Sequence, residues 1–363
     1  MTWGLIGQET AVAALERGLA QGRLAHAYLL VGPPGVGKRT LALALAKVLN
    51  CPVPPGPCGE CSQCRRIASG LHPDVEVLAL QEGQRELSID RVRDLQRSLS
   101  LRPFEGRYRV AIIREAERMS REAANALLKT LEEPPEQTVL LLTTAEEEQV
   151  LPTIRSRCQR LPLYPVPRAL LSKVLQEERG LDPLEAGRLA AFGRGCPGRA
   201  LAALEHPEGL ESTAQHLGRL KSILEGDTEV RCAQAAHITS GYPAQREQAS
   251  LTLRTWQDWW RDLLLVKTGC ESEVVYLQET ESYRHYSAGI HLPAVRDALF
   301  GIRRALRQLD QNANPRLVLD VLVLGLPTGP AYRTGRQAGL PTAAGEEARG
   351  QSAPSLGEGH PPD

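Results

Sequence analysis

Short apolar runs alternate with helical patterns over residues 1–164 and only helical patterns follow, which predicts an α/β domain on a parallel sheet followed by all-α segments. Three observations carry that reading. Ala27–Val31 (AYLLV) passes through a glycine-rich loop into the helical stretch TLALALAKVL, the opening of a βαβ unit. Further strand-like runs recur at Val75–Leu80, Tyr108–Ile113, Thr138–Thr144 and Arg160–Leu163. Aromatic residues make up 4% of the chain, so the core must be built from Leu, Ala, Val and Ile, which suits helices packed on a sheet.

The elements between and after these strands follow from spacing. Ile89, Val92, Leu95 and Leu99 recur at helical intervals and predict an amphipathic helix over about 88–100. Ser120 is placed to cap a helix through Leu131, which ends before Pro134-Pro135 because proline cannot continue it. From Pro165 a small helical group runs to about 205, and a larger helical block spans roughly 210–325. Within that block Trp256, Trp259 and Trp260 stand at i, i+3 and i+4 on one helical face. They read as packed core or a subunit interface in preference to an exposed docking stripe. From about 328 the chain is rich in Gly, Pro, Ala and Ser with few large apolar residues, and is expected to stay disordered.

Composition bounds the partners. Among 363 residues, Lys+Arg and Asp+Glu balance at 43 each, so no global basic field points to nucleic acid. Any DNA contact must be local or shared with partner subunits. No run of about 18 apolar residues predicts a membrane span. The first residues carry acids and no long apolar stretch, so a cytoplasmic protein without a secretory leader is expected.

Cys51, Cys58, Cys61 and Cys64 fall within fourteen residues, with Gly56, Gly59 and several prolines between them. Such a segment can fold around one tetrahedral ion, and a closed four-thiolate site favours structural zinc. An iron–sulfur cluster is the alternative, since the 58/61/64 spacing also occurs in ferredoxin-type ligation. Free or disulfide-paired thiols are the remaining reading, disfavoured in a chain of cytosolic character. Cys158, Cys196, Cys232 and Cys270 are scattered and read as buried thiols or bystanders.

Gly32-Pro-Pro-Gly35-Val-Gly37-Lys38 is a phosphate loop in its proper place, between a strand and a helix. Loop amides and the helix N-terminus bind phosphates, and the lysine reaches the terminal ones. The metal ligands are missing. Position 39, where Ser or Thr should hold Mg²⁺, is arginine. Thr40 lies next to it, but one helical residue turns a side chain by about 100°. The acidic residue expected at the tip of a buried strand is Arg114, followed by Glu115. ATP binding through Gly32, Gly35, Gly37, Lys38 and Thr40 stays open beside a vestigial loop that binds nothing. Mg²⁺-dependent hydrolysis is not expected.

With these residues in hand, the chain resembles the AAA+ clamp-loader subunits of bacterial DNA polymerase III, the delta-prime branch of that family above all. Arg23-Leu-Ala-His26-Ala-Tyr-Leu-Leu30 precedes the phosphate loop, and the four cysteines follow it. Ala124-Asn125-Ala-Leu-Leu-Lys129-Thr-Leu-Glu-Glu-Pro-Pro135 and Thr153-Ile-Arg-Ser156-Arg157-Cys158 come later in the family's order. Asn312-Ala-Asn-Pro-Arg-Leu-Val-Leu-Asp320 is similar to the family's final collar helix. The likeness covers about residues 1–325.

The resemblance implies an AAA+ nucleotide-binding-like domain over 1–164 with a zinc module at 51–64, a helical lid over 165–207, and a helical collar over 208–326. A tail at 327–363 lies outside it. Motor subunits (gamma/tau) of that family hydrolyse ATP, whereas the stator type has decayed metal ligands, as Arg39 and Arg114 would be. The implied partners are gamma/tau and delta in a hetero-pentameric ring that places a sliding clamp on primed DNA, part of a DNA-directed DNA polymerase complex. Arg157 would project into a neighbour's ATP site as a trans-acting finger; from the residues alone it reads as a salt-bridged surface arginine. Arg199 stands where the family's lid offers a nucleotide-sensing arginine, or it solvates a helix N-terminus. Thr143 and Thr144 end a strand at the position of the family's first sensor, or are turn residues. Lys129, Glu132 and Glu133 read as subunit-interface charges, and His26 as a packed histidine. Nine arginines between Arg91 and Arg121 could face DNA phosphate, although solvated helix faces have the same composition. The competing functions are an ATP-hydrolysing motor subunit and a helicase-type AAA+ ATPase.

Overall fold

A computed structural model describes residues 2–329 apart from 55, 82, 207 and 243–245. Five parallel strands form one sheet: β1 (Ala27–Val31), β2 (Val75–Leu78), β3 (Arg109–Ile113), β4 (Thr138–Thr144) and β5 (Gln159–Pro162). Their spatial order is β2-β3-β4-β1-β5. Six helices accompany them: α1 (Glu9–Ala20), α2 (Lys38–Asn50), α3 (Ser62–Ala68), α4 (Ile89–Leu99), α5 (Arg121–Glu132) and α6 (Pro152–Arg155).

Successive strand residues face opposite sides, so strands covered on both faces must be apolar throughout. Tyr28, Leu30, Val110, Ile112, Val139 and Leu141 join one core with α1 and α2. Ala27, Leu29, Ala111, Ile113, Leu140 and Leu142 join a second with α4 and α5. The sheet is therefore the middle of three layers. β4 matches its expected bounds end for end, whereas β2 stops two residues short of Leu80, β3 begins at Arg109, and β5 is shifted one residue earlier. At the start of α5 the amide of Ala123 donates to Ser120 Oγ at 3.1 Å, the expected cap.

Beyond the sheet, α7 (Arg168–Arg179), α8 (Pro183–Gly193) and α9 (Pro197–Glu205) share a small core that includes Leu171, Leu175, Leu189 and Ala200. A larger core unites α10 (Glu208–Glu225), α11 (Thr228–Thr239), α12 (Arg246–Lys267), α13 (Thr280–Gly289), α14 (Leu292–Asp310) and α15 (Pro315–Gly325). Trp256, Trp259 and Trp260 are fully buried in it, as core residues and not as a docking stripe. Trp259 meets Trp260 edge-on at 5.3 Å, and Trp256 Nε1 donates to His216 O at 2.8 Å. The buried Arg231 donates to Val323 O and Leu326 O at 3.0 and 2.7 Å, fastening the end of α15.

The amide of Gly329 donates to Leu224 O at 2.7 Å, so the first residues of the expected tail are packed; 330–363 lie outside the described residues. Among the described residues no helix is long and apolar enough to cross a membrane.

Candidate functional site

The phosphate loop leaves β1 and is drawn against its surroundings. Gly32 N donates to Thr144 O at 3.1 Å, tying the loop to the end of β4. Gly35 and Gly37 take φ of +80° and +113°, a region that side chains with a Cβ rarely adopt. Lys38 opens α2, and its Nζ donates to Gly32 O and, at 3.0 Å, to Pro33 O. Burial lowers the Lys38 pKa from its ordinary value, and Glu117, Cys196 and Glu115 oppose that shift. On the outer side, Gly198 N donates to Gly35 O at 2.8 Å. A Cβ on Gly35 would lie 3.0 Å from Arg199 Cγ and from Arg199 N. The first turn of α9 is thus seated directly on the loop.

The positions expected to hold magnesium carry guanidinium groups. Arg39 and Thr40 are exposed on the first turn of α2, and Arg114 is half-buried just past β3. Magnesium takes oxygen ligands in near-octahedral geometry, and cations at both positions do not fit it. Glu115 is exposed and left-handed (φ +53°), its amide donating to Thr143 Oγ1 at 3.3 Å. Glu117 Oε1 accepts from Ala145 N at 3.0 Å, while its buried Oε2 has no partner among the described residues. Lys38 is the cation that this carboxylate faces electrostatically.

Arg199 turns away from the phosphate loop. Its Nη2 lies 3.8 Å from Asp258 Oδ2 on α12, and its guanidinium stands 5.7 Å from the Phe192 ring centroid. Arg194 pairs with the same carboxylate. Asp258 escaped the sequence reading because it stands more than fifty residues away on an ordinary helical face. Thr144 is fully buried, and its Oγ1 accepts from Glu146 N at 3.1 Å.

Arg157 sits where α5 and α6 end. Its Nη2 is 2.6 Å from Glu132 Oε1, and its Nη1 donates to Thr153 O at 3.0 Å and Ser156 Oγ at 3.3 Å. The side chain is 35% exposed. Lys129 and Glu133 are exposed on and just after α5, and His26 Nε2 lies 3.0 Å from Leu131 O.

The four cysteines come together. Their sulfurs all lie within 4.8 Å of one another, and Cys51 Sγ and Cys61 Sγ are 4.0 Å apart. Zinc–sulfur bonds of ~2.3 Å in a tetrahedron place sulfurs ~3.8 Å apart, so the cluster fits one such ion with a small contraction. The amides of Cys61 and Cys64 donate to Cys58 Sγ and Cys61 Sγ at 3.3 and 3.4 Å, which suits thiolates. Amide donation from Cys61 and Glu60 lowers the exposed Cys58 thiol to about 6, whereas burial raises Cys64 to about 12. Cys61 also caps α3, the short helix that carries Cys64. This helix was not expected from the sequence.

The arginine-rich stretch does not form one bare cationic face. Arg93 and Arg97 pair with Asp90 and Asp94 one turn back on α4, and Arg109 is buried beside Asp74 at 3.6 Å. Asp74 is itself a buried anchor missed by the sequence reading. It accepts the amides of Phe104, Glu105 and Gly106 at 2.7, 2.9 and 2.7 Å.

A described family and several known proteins match this chain in sequence. Residues 7–167 match a family described as DNA polymerase III, delta subunit. Over 209 residues the chain is 42% identical to the DNA polymerase III subunit delta' of Pseudomonas aeruginosa, covering 55% of this chain and 62% of that protein. It is 36% identical over 209 residues to the subunit gamma of Buchnera aphidicola, covering 56% of this chain and 57% of that protein. The match to the subunit delta' of Bacillus subtilis is weaker but longer, 29% over 325 residues, covering 89% of this chain and 97% of that protein. The chain thus spans under two thirds of the first two relatives and nearly all of the third. Residues 7–167 thus resemble the DNA polymerase III delta-subunit family, and these three relatives are delta' and gamma subunits of that polymerase.

Proposed function

We propose that this chain is a delta-prime-type stator of a replicative clamp loader: an AAA+ subunit that does not hydrolyse ATP itself and lends Arg157 to a neighbour that does. One observation carries the reading. Arg39 and Arg114 occupy both positions from which a phosphate-loop ATPase holds its magnesium. The inward turn of Lys38 and the seat of Gly198 on Gly35 support it, because the lysine and the carbonyls of Gly32, Pro33 and Gly35 already have partners.

In this reading residues 1–164 form the AAA+ module, 165–207 the lid and 208–326 the collar that joins the ring. The partners are gamma/tau and delta, and through them the sliding clamp and primed DNA. Zinc at Cys51, Cys58, Cys61 and Cys64 is structural, supplying folding energy to a segment too small for its own core. The guanidinium of Arg157 stabilises charge developing on the phosphoryl group transferred in the adjacent subunit. Copurification with gamma and delta subunits, followed by steady-state ATP turnover with and without Arg157, tests the assignment.

A second reading, an ATP-hydrolysing motor subunit, draws support from the gamma relatives and from the retained Lys38. It requires a divalent ion to be held beside two arginines. Brisk Mg²⁺-dependent hydrolysis by the isolated chain would favour it.

A further inference from the structure

We propose that Glu132 is the positioning residue for Arg157, holding the guanidinium ready before a neighbouring subunit's nucleotide arrives. The proposal rests on the finger reading of Arg157 given above. Arginine is long and has many rotamers, and a finger must meet a phosphate at one place. Two neutral acceptors, Thr153 O and Ser156 Oγ, hold Nη1 from within the turn that carries Arg157. Glu132, the last residue of α5, contributes the contact from a different element, at 2.6 Å to Nη2. Without it the guanidinium is anchored on one side only and its other edge is free to swing.

The donor inventory fits a poised group and not a spent one. A guanidinium has five N–H donors. Both Nη1 donors are hydrogen-bonded, which leaves Nε–H and the Nη2 donors without a hydrogen-bond acceptor among the described residues, Glu132 Oε1 lying beside Nη2 as an ion-pair partner. Two donors are what bidentate recognition of a phosphate needs. Glu132 takes one nitrogen and is half exposed, so the arginine need not break a buried pair to reach outward. An ion pair that open contributes little to folding stability, and its removal should show in turnover instead.

The test uses this full-length chain reconstituted with the ATP-hydrolysing gamma subunit and the delta subunit, with kcat and KM for ATP measured for Glu132→Gln, Glu132→Asp, Arg157→Ala and the Glu132→Gln/Arg157→Ala double variant. Misplacing a catalytic group by a fraction of an ångström predicts a fall of about tenfold in kcat for Glu132→Gln. KM and assembly by size exclusion should be unchanged, Glu132→Asp should recover part of the rate, and the double variant should be no slower than Arg157→Ala. If Glu132→Gln matches or exceeds the parent rate while Arg157→Ala abolishes it, the finger stands and the positioning role is overturned. Loss of assembly in Glu132→Gln overturns it too, in favour of an interface role. If Arg157→Ala leaves kcat unchanged, the finger reading itself has failed.

Discussion

Gly198 donates its amide to the carbonyl of Gly35 at 2.8 Å, joining the first turn of α9 to the middle of the phosphate loop. Two glycines make the approach feasible. A Cβ on Gly198 would lie 3.0 Å from Gly35 O, and one on Gly35 equally close to Arg199. The loop serves here as a joint between the sheet domain and the helices that follow.

Gly35→Ala tests that joint. Left-handed backbone at φ +80° costs a residue with a Cβ ~1–2 kcal/mol, and the clash with Arg199 adds to it. Urea denaturation should therefore show a loss of about 2–3 kcal/mol, the upper part reflecting packing against α9. A loss below ~1 kcal/mol would mean that α9 gives way freely.

Asp74 should make the chain acid-sensitive. Burial alone would raise its pKa, but the amides of Phe104, Glu105 and Gly106 and the nearby Arg109 outweigh burial and lower it. A carboxyl with a depressed folded pKa stabilises the fold above its unfolded value, ~3.9, and that contribution is lost as pH falls through the folded value. Asp74→Ala should cost about 1–3 kcal/mol at neutral pH by leaving three part-buried amides and the buried Arg109 without their acceptor. The gap between parent and variant should narrow below about pH 4. A gap that is constant with pH would show that the carboxylate charge is not involved.

The cysteine cluster predicts one zinc per chain. Cys61→Ser removes a sulfur and weakens the cap of α3 together. Metal content by atomic emission should fall, and proteolysis within 51–68 should speed up. Full zinc retention with unchanged protease resistance would exclude Cys61 as a ligand.

Trp260 is fully buried in the core of α10–α15, so Trp260→Ala should cost about 3–5 kcal/mol. A thermal shift of less than a few degrees would instead mark that core as loosely packed.

Much of this architecture was legible in the sequence because it rests on local rules. β4 is apolar from Val139 to Leu142 and covered on both faces, and its ends were readable to the residue. Ser120 caps α5 through its own third neighbour, and the i, i+3, i+4 tryptophans are buried together. What escaped depends on distance along the chain. The pairing of Arg157 with Glu132 spans two elements, and that of Arg199 with Asp258 spans two helical cores. Asp74 gathers amides from thirty residues away. α3 was missed because its cap is a thiol, not a hydroxyl or carboxylate. The arginines between 91 and 121 gave a basic count, but Asp90 and Asp74, which pair with Arg93 and Arg109, lie outside the counted window.

The most direct test of the central claim is Mg²⁺-dependent ATP turnover, measured for the purified chain alone and for its complex with gamma and delta subunits, with Arg157 and with Arg157→Ala. The account predicts no turnover above background for the chain alone, and a fall of about 10³-fold at the site it faces when Arg157 is removed from the complex. Rapid turnover by the isolated chain, or a complex indifferent to Arg157, would contradict it.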